Sequence, residues 1–238
     1  MSLKRFFVDK VQPTTELSGE EFEHAKNVLR IGVGAEVILL DNSGKEYTAI
    51  VSQVDKKKML LNVVREDAGA REPKTDVCLL FGYLKNADKN EFIVQKAVEL
   101  GVSKIGVFSS QYSSAYMNEN KLERLNKISR EAAKQCLRSV APTVTYFSTL
   151  QDALNMGAGY ENKLFACEFA ENSDISLASL QGGVAIVVGS EGGFAKEEAE
   201  HAKAQGYSFV SLGKRILRAE TACVSLTAVV MHALGEWE

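Results

Sequence analysis

With 238 residues, 45% of them apolar and 25% charged, the chain is long enough for one large domain or two modest ones of ordinary globular make-up. No apolar run approaches bilayer length, and Met1-Ser-Leu-Lys-Arg5 is too soon charged for a secretory signal, so a cytoplasmic protein is expected. The net charge of −3 argues against coating nucleic acid by bulk charge, while leaving room for a local basic surface.

Cys78, Cys136, Cys167 and Cys223 form no CxxC pair, which favours reduced thiols over a disulfide framework. His24, His201 and His232 are not spaced as metal ligands, and no metal is expected.

In chain order, residues 5–8 predict a short strand. Ser18 and Glu21 match a capping box, and Phe22, Ala25, Val28 and Leu29 follow at helical spacing. Residues 36–40, 47–54 and 59–64 predict three strands, joined by turns at Asp41-Asn-Ser-Gly44 and Asp55-Lys-Lys-Lys58. Together these predict a small, mostly antiparallel barrel with one helix. The stretch 67–73 then breaks the pattern with small residues and Pro73, as a linker does.

Beyond it, apolar runs at 77–81, 105–108, 163–167, 184–188 and 209–212 predict buried strands. They alternate with helical patterns at 90–100, 120–137 and 196–205, and Gly101 and Gly206 stand at expected helix ends. This alternation predicts an α/β domain with a largely parallel sheet. The last helix, 221–234, is apolar almost all round, so it belongs in a core or at a subunit interface. No internal repeat or low-complexity tract is present.

Two segments carry candidate chemistry. Val187-Val-Gly-Ser-Glu-Gly-Gly-Phe194 joins a buried strand to a helix, and its glycines allow close approach of backbone to a ligand. The alternative is a tight connection and nothing more. The loop is neither GxGxxG nor a phosphate-binding GK[ST] loop, which disfavours a nicotinamide oxidoreductase or a nucleoside triphosphatase. Leu212-Gly-Lys-Arg-Ile-Leu-Arg-Ala-Glu-Thr-Ala222 likewise follows a strand and opens a helix. It is either a solvated charged turn or a ligand loop. Because Ile216 and Leu217 interrupt the cations, part of it is expected to be buried.

GSEGGF followed by LGKRILRAETA resembles the RsmE family of SPOUT methyltransferases. The likeness extends to Lys4-Arg-Phe-Phe-Val8, to His24 with Val28-Leu-Arg30, to the helix from Glu91 to Val102, and to Glu131–Pro142 with Gln135 and Arg138. The family usually has proline where this chain has Ser190, and several relatives carry an arginine near Gln111.

The resemblance implies a PUA-like RNA-binding β-barrel over 1–70 and, over 74–238, an α/β SPOUT domain tied in a trefoil knot. It implies S-adenosylmethionine as methyl donor, N3 of a uridine in 16S ribosomal RNA of the small subunit as acceptor, and a homodimer. Donor-binding positions would be Ala166, Cys167 and Glu168, then Gly189, Ser190, Glu191, Gly192 and Gly193, then Leu212, Gly213, Ile216, Leu217, Thr221 and Ala222. Arg218 is the candidate to stabilise the uracil as N3 loses its proton, with Glu191 and Glu220 as bases or as groups orienting Arg218. RNA contacts are expected from Arg5, Lys26, Arg30, Lys85, Gln135, Arg138 and Arg215. Gln135 and Arg138, three apart, would share a helix face. For Lys56–Lys58 a solvated turn is the stronger reading. A ribose 2′-O-methyltransferase and an inactive RNA-binding assembly factor are the competing functions.

Overall fold

The computed structural model describes residues 3–113, 116–167 and 173–237. They form two compact units, one of Met1–Glu72 with Ala133–Ala141, the other of Pro73–Ala132 with Pro142–Glu238.

The first unit is built on a sheet of β1 (Lys4–Phe7), β2 (Thr14–Ser18), β3 (Glu36–Leu40), β4 (Lys45–Val54) and β5 (Lys58–Ala68), in the order β1-β3-β4-β5-β2. β1 and β3 are parallel and the remaining pairs antiparallel. Phe6, Leu17, Val37, Leu39, Ala49, Val51, Met59 and Leu61 form the core with Phe22 and Ala25 of the helical segment. That segment is α1 (Gly19–Glu23), which continues as a π-helical turn, His24–Val28.

The expected capping box does not form. Ser18 closes β2 with extended backbone and makes no side-chain cap. Glu21 instead accepts from Lys134 Nζ at 3.0 Å.

The second unit holds an all-parallel sheet of β6 (Val77–Gly82), β7 (Lys104–Phe108), β8 (Val144–Phe147), β9 (Asn162–Ala166), β10 (Val184–Val188) and β11 (Ser208–Val210). The order is β11-β9-β10-β6-β7-β8. Its helices are α2 (Ala87–Leu100), α3 (Glu119–Gln135, of which residues 133–135 belong to the first unit), α4 (Leu150–Met156), α5 (Lys196–Ala204) and α6 (Ala219–Ala233). Near-continuous apolar strands are what a sheet covered on both faces requires, and β6 and β10 are buried at every position. Gly101 ends α2 at φ +100°, a conformation with no Cβ penalty for glycine.

After the edge strand β11 the chain returns to the middle of the domain. There α6 packs on α2, β10 and β6. Glu236, just past α6, accepts from the backbone N–H groups of Lys74 and Thr75. Among the described residues, no helix is long and apolar enough to cross a membrane.

Candidate active site

Ala166, Val188 and Val210 are the last residues of three neighbouring parallel strands, and they stand in register across β9, β10 and β11. The loops that follow therefore leave one sheet edge at one level, the place where open α/β sheets hold ligands. Cys167 and the loops after β10 and β11 line a cavity of about 660 Å³, within the span usual for a small-molecule site.

All the expected donor-binding positions that are described line it, except Thr221. Thr221 is exposed in the first turn of α6 while Ala222 is buried against the cavity; successive helical positions point roughly 100° apart. Glu168 lies outside the described residues.

Close backbone packing shapes the glycine loop. A Cβ on Gly82, at the end of β6, would lie 2.4 Å from the Ser190 nitrogen, so glycine is needed there for the loop to reach the strand. Gly193 turns back at φ +66°, its N–H donating to the Ser190 carbonyl at 3.0 Å. Phe194 then anchors the loop in the core, its ring 4.2 Å from that of Phe165. Ser190 is buried, and its hydroxyl lies 3.4 Å from that of Ser110.

The second loop is half-buried at Leu217 but not around its cations. Lys214, Arg215 and Arg218 are exposed and Ile216 is 99% exposed, so the apolar pair does not bury the cations. The loop lines the cavity with Leu217, Ala219 and Glu220 half-buried and the residues from Lys214 to Ile216 open. Arg218 is the N-cap residue of α6, and its carbonyl accepts from the Ala222 N–H.

Glu191 is exposed and accepts from the Lys85 backbone N–H at 3.2 Å. Glu220 does not pair with Arg218; its ion pair is to Lys89 of α2, at 3.0 Å. Burial raises the pKa of this carboxyl, but its own backbone N–H, Lys89 and Arg218 outweigh burial and hold it below the usual range. Lys89 escaped the sequence reading, because nothing local to α2 marks it as the partner of a residue in the final helix.

Several expected RNA contacts have other uses. The Arg5 side chain is 7% exposed and pairs with Glu46 at 2.7 Å, which takes it away from phosphates. Arg138 is buried and pairs with Glu72. It shares no helix face with Gln135, because α3 ends at Gln135 and Leu137 takes φ +66°. Lys26 is half-buried and donates to the Asp55 carbonyl. Arg30, Lys85, Gln135 and Arg215 are exposed. Lys56 and Lys57 form an exposed turn closed by the Asp55 N–H donating to the Lys58 carbonyl.

Comparison with known proteins fits this arrangement. A model of the RNA methyltransferase domain matches residues 71–231, and one of the RNA methyltransferase PUA domain matches residues 17–64. Fold and cavity thus define an RNA methyltransferase with a PUA-like N-terminal unit. The ribosomal RNA small subunit methyltransferase E of Bacillus subtilis is 31% identical, over 92% of this chain and 93% of that protein. The Mesomycoplasma hyopneumoniae protein of the same name is 35% identical over 69% of this chain and 73% of its own length. The chain belongs to the ribosomal RNA small subunit methyltransferase E family, as the GSEGGF and LGKRILRAETA motifs implied. The solved structure of the Neisseria gonorrhoeae family member, bound to S-adenosyl methionine, superposes with a TM-score of 0.84 at 26% identity over 98% of both chains. A Legionella pneumophila methyltransferase with bound SAM gives 0.88 at 28% identity, also over 98% of both.

Proposed function

We propose that the chain methylates N3 of a uridine in the 16S RNA of the small ribosomal subunit, with S-adenosylmethionine as donor, as a cytoplasmic homodimer. The observation that carries this is the cavity at the ends of β9, β10 and β11, with the cationic rim of residues 214–218 beside it. The similar structures with bound donor support the same occupant.

The residues suit such a group. Four glycines, Gly189, Gly192, Gly193 and Gly213, line the cavity among apolar side chains, and exposed main-chain N–H and C=O groups at such positions can read an adenine edge and a ribose. Glu220 Oε2 is buried with no hydrogen-bond partner among the described residues, an acceptor left for a bound molecule. The Gly189–Gly193 loop and residues 212–217 would hold the donor, which supplies an electrophilic methyl group when bound. A trefoil path is part of this reading. It is supported by the return of the chain from the edge strand β11 to α6 against β10 and β6.

The protein's remaining task concerns the acceptor. Uracil N3 bears a proton, and its lone pair becomes a nucleophile only as that proton leaves. In this reading Arg218 faces the developing negative charge, Glu191 steadies the Lys85 turn, and Arg215, Lys85 and Arg30 meet phosphates. Arg5 and Arg138, committed to Glu46 and Glu72, are left out of it.

The test is transfer of labelled methyl to unmodified small subunits and to naked 16S RNA, followed by digestion to nucleosides. Label in N3-methyluridine, greater with the subunit, is expected. Label in a 2′-O-methylated nucleoside would move the chain to the ribose-modifying class, and no transfer would favour an assembly factor.

The dimer is supported by the large apolar side chains left open on the packed pair α2 and α6. Phe92 and Val229 are 43% and 44% exposed, and Trp237 beyond α6 is 55% exposed. Light scattering at micromolar concentration should give twice the chain mass, by isologous pairing. A monomer with full activity would overturn it.

A further inference from the structure

Among the described residues that line the cavity, Glu220 is the carboxylate held out of solvent. Its side chain is 16% exposed. Oε1 is taken by Lys89 Nζ at 3.0 Å, whereas Oε2 is shielded from water and has no hydrogen-bond partner among the described residues. A half-satisfied ionised carboxylate is unfavourable in a protein interior unless a bound group completes it.

The chemistry of that group is narrow. An ionised oxygen has no proton to give, so it requires an N–H or O–H donor, and a charged donor suits it best. The first turn of α6 also favours the anion, as a helix N-terminus does. The carboxyl stays ionised at neutral pH with its pKa lowered, which makes it a poor base and a good counter-ion.

A sulfonium nucleoside with an amino-acid arm offers several groups. The sulfonium has no hydrogen to donate, and the adenine amino group and ribose hydroxyls are neutral. The α-ammonium combines positive charge with N–H donors.

We propose that Glu220, held in place by Lys89, is the counter-ion for the α-ammonium of the methyl donor. The assignment rests on the reading of the cavity as the donor site and adds the part of the donor that is read by charge. Lys89 acts as a positioning residue: by occupying Oε1 it directs Oε2 to the ligand.

Calorimetric titration of wild type, Glu220→Gln and Lys89→Met with three ligands separates the possibilities. S-adenosylmethionine and S-adenosylhomocysteine both carry the ammonium, and 5′-methylthioadenosine lacks the whole arm. Glu220→Gln is expected to weaken the first two on the order of tenfold or more and the third by less than about twofold. Lys89→Met should show the same selectivity with a smaller loss. Glu220→Gln binding all three as wild type does, or weakening all three equally, overturns the proposal. If wild type binds neither donor nor product, the donor-site reading itself falls. Thermal melts of both variants confirm that folded protein is compared, and Lys89→Met carries the test if Glu220→Gln does not fold.

Discussion

Arg218→Ala is expected to lower the single-turnover rate of methyl transfer by on the order of a hundredfold or more, with donor affinity changed by less than about twofold. In the proposed reaction, transfer to N3 develops negative charge on the uracil ring as the proton leaves. A guanidinium answers that charge well, because it is always protonated and can bridge two acceptor atoms. A donor already cationic at sulfur gains nothing from an arginine beside it. A cation in this position is better explained by the acceptor.

The structure strengthens the choice of residue. Arg218 lines the cavity, is exposed, and has no ion pair among the described residues. Its backbone is fixed as the N-cap of α6, so the side chain starts from a rigid element while its head remains available. Arg215 is the internal control. It is exposed in the same loop, and Arg215→Ala should act on RNA affinity with the bound-state rate near that of wild type. Both quantities are read in single-turnover reactions at saturating RNA, beside donor titrations. If Arg218→Ala transfers at near the wild-type rate once bound, the residue has no part in the chemistry. If its whole defect is lost donor binding, the residue is a wall of the pocket.

Glu72→Ala should destabilise the first unit by about 1.5–3 kcal/mol, the range for losing hydrogen bonds to a charged group. The Glu72 carboxylate accepts from Arg138 Nε and Nη2 at 3.0 and 2.9 Å. It also takes the N–H groups of Ser139 and Val140 at 2.7 and 3.0 Å. Arg138 has a side chain only 4% exposed, so removing this carboxylate takes an ion pair and two hydrogen bonds from a guanidinium that water reaches poorly. Glu72→Gln keeps one acceptor oxygen and should fall between wild type and alanine. Urea denaturation followed by circular dichroism measures the loss. A loss below about 1 kcal/mol would mean that the pair contributes no more than a surface contact does. Arg138 then returns to the RNA-contact candidates.

The large parts of the fold were legible because they rest on local physics. Residues 184–188 are a strand because a five-residue apolar run between breakers can be buried on both faces, and β10 occupies those residues. Gly101 and Gly206 end helices at φ +100° and +83° because only glycine takes that conformation without cost. The cavity loops were visible for the same reason, since close-approach glycines and the ILRAETA run are continuous in sequence.

Shorter elements escaped. β2 buries only Thr15 and Leu17 of its five residues, too brief an alternation to stand out. β8 and α4 were also missed, though Thr149 capping the Asp152 N–H gave a readable start signal for α4.

Tertiary structure alone decided how the charged side chains are used. Arg5, Arg138 and Glu220 look in sequence like groups available to RNA or to Arg218. Their partners Glu46, Glu72 and Lys89 lie far along the chain. Of the apolar pair expected to bury part of its loop, Leu217 is half-buried and Ile216 is fully open. Propensity and periodicity act over a few residues, so sequence determines which segments become strands, helices and turns. Burial and ion pairing depend on which segments meet, and that is known only once the sheets are assembled.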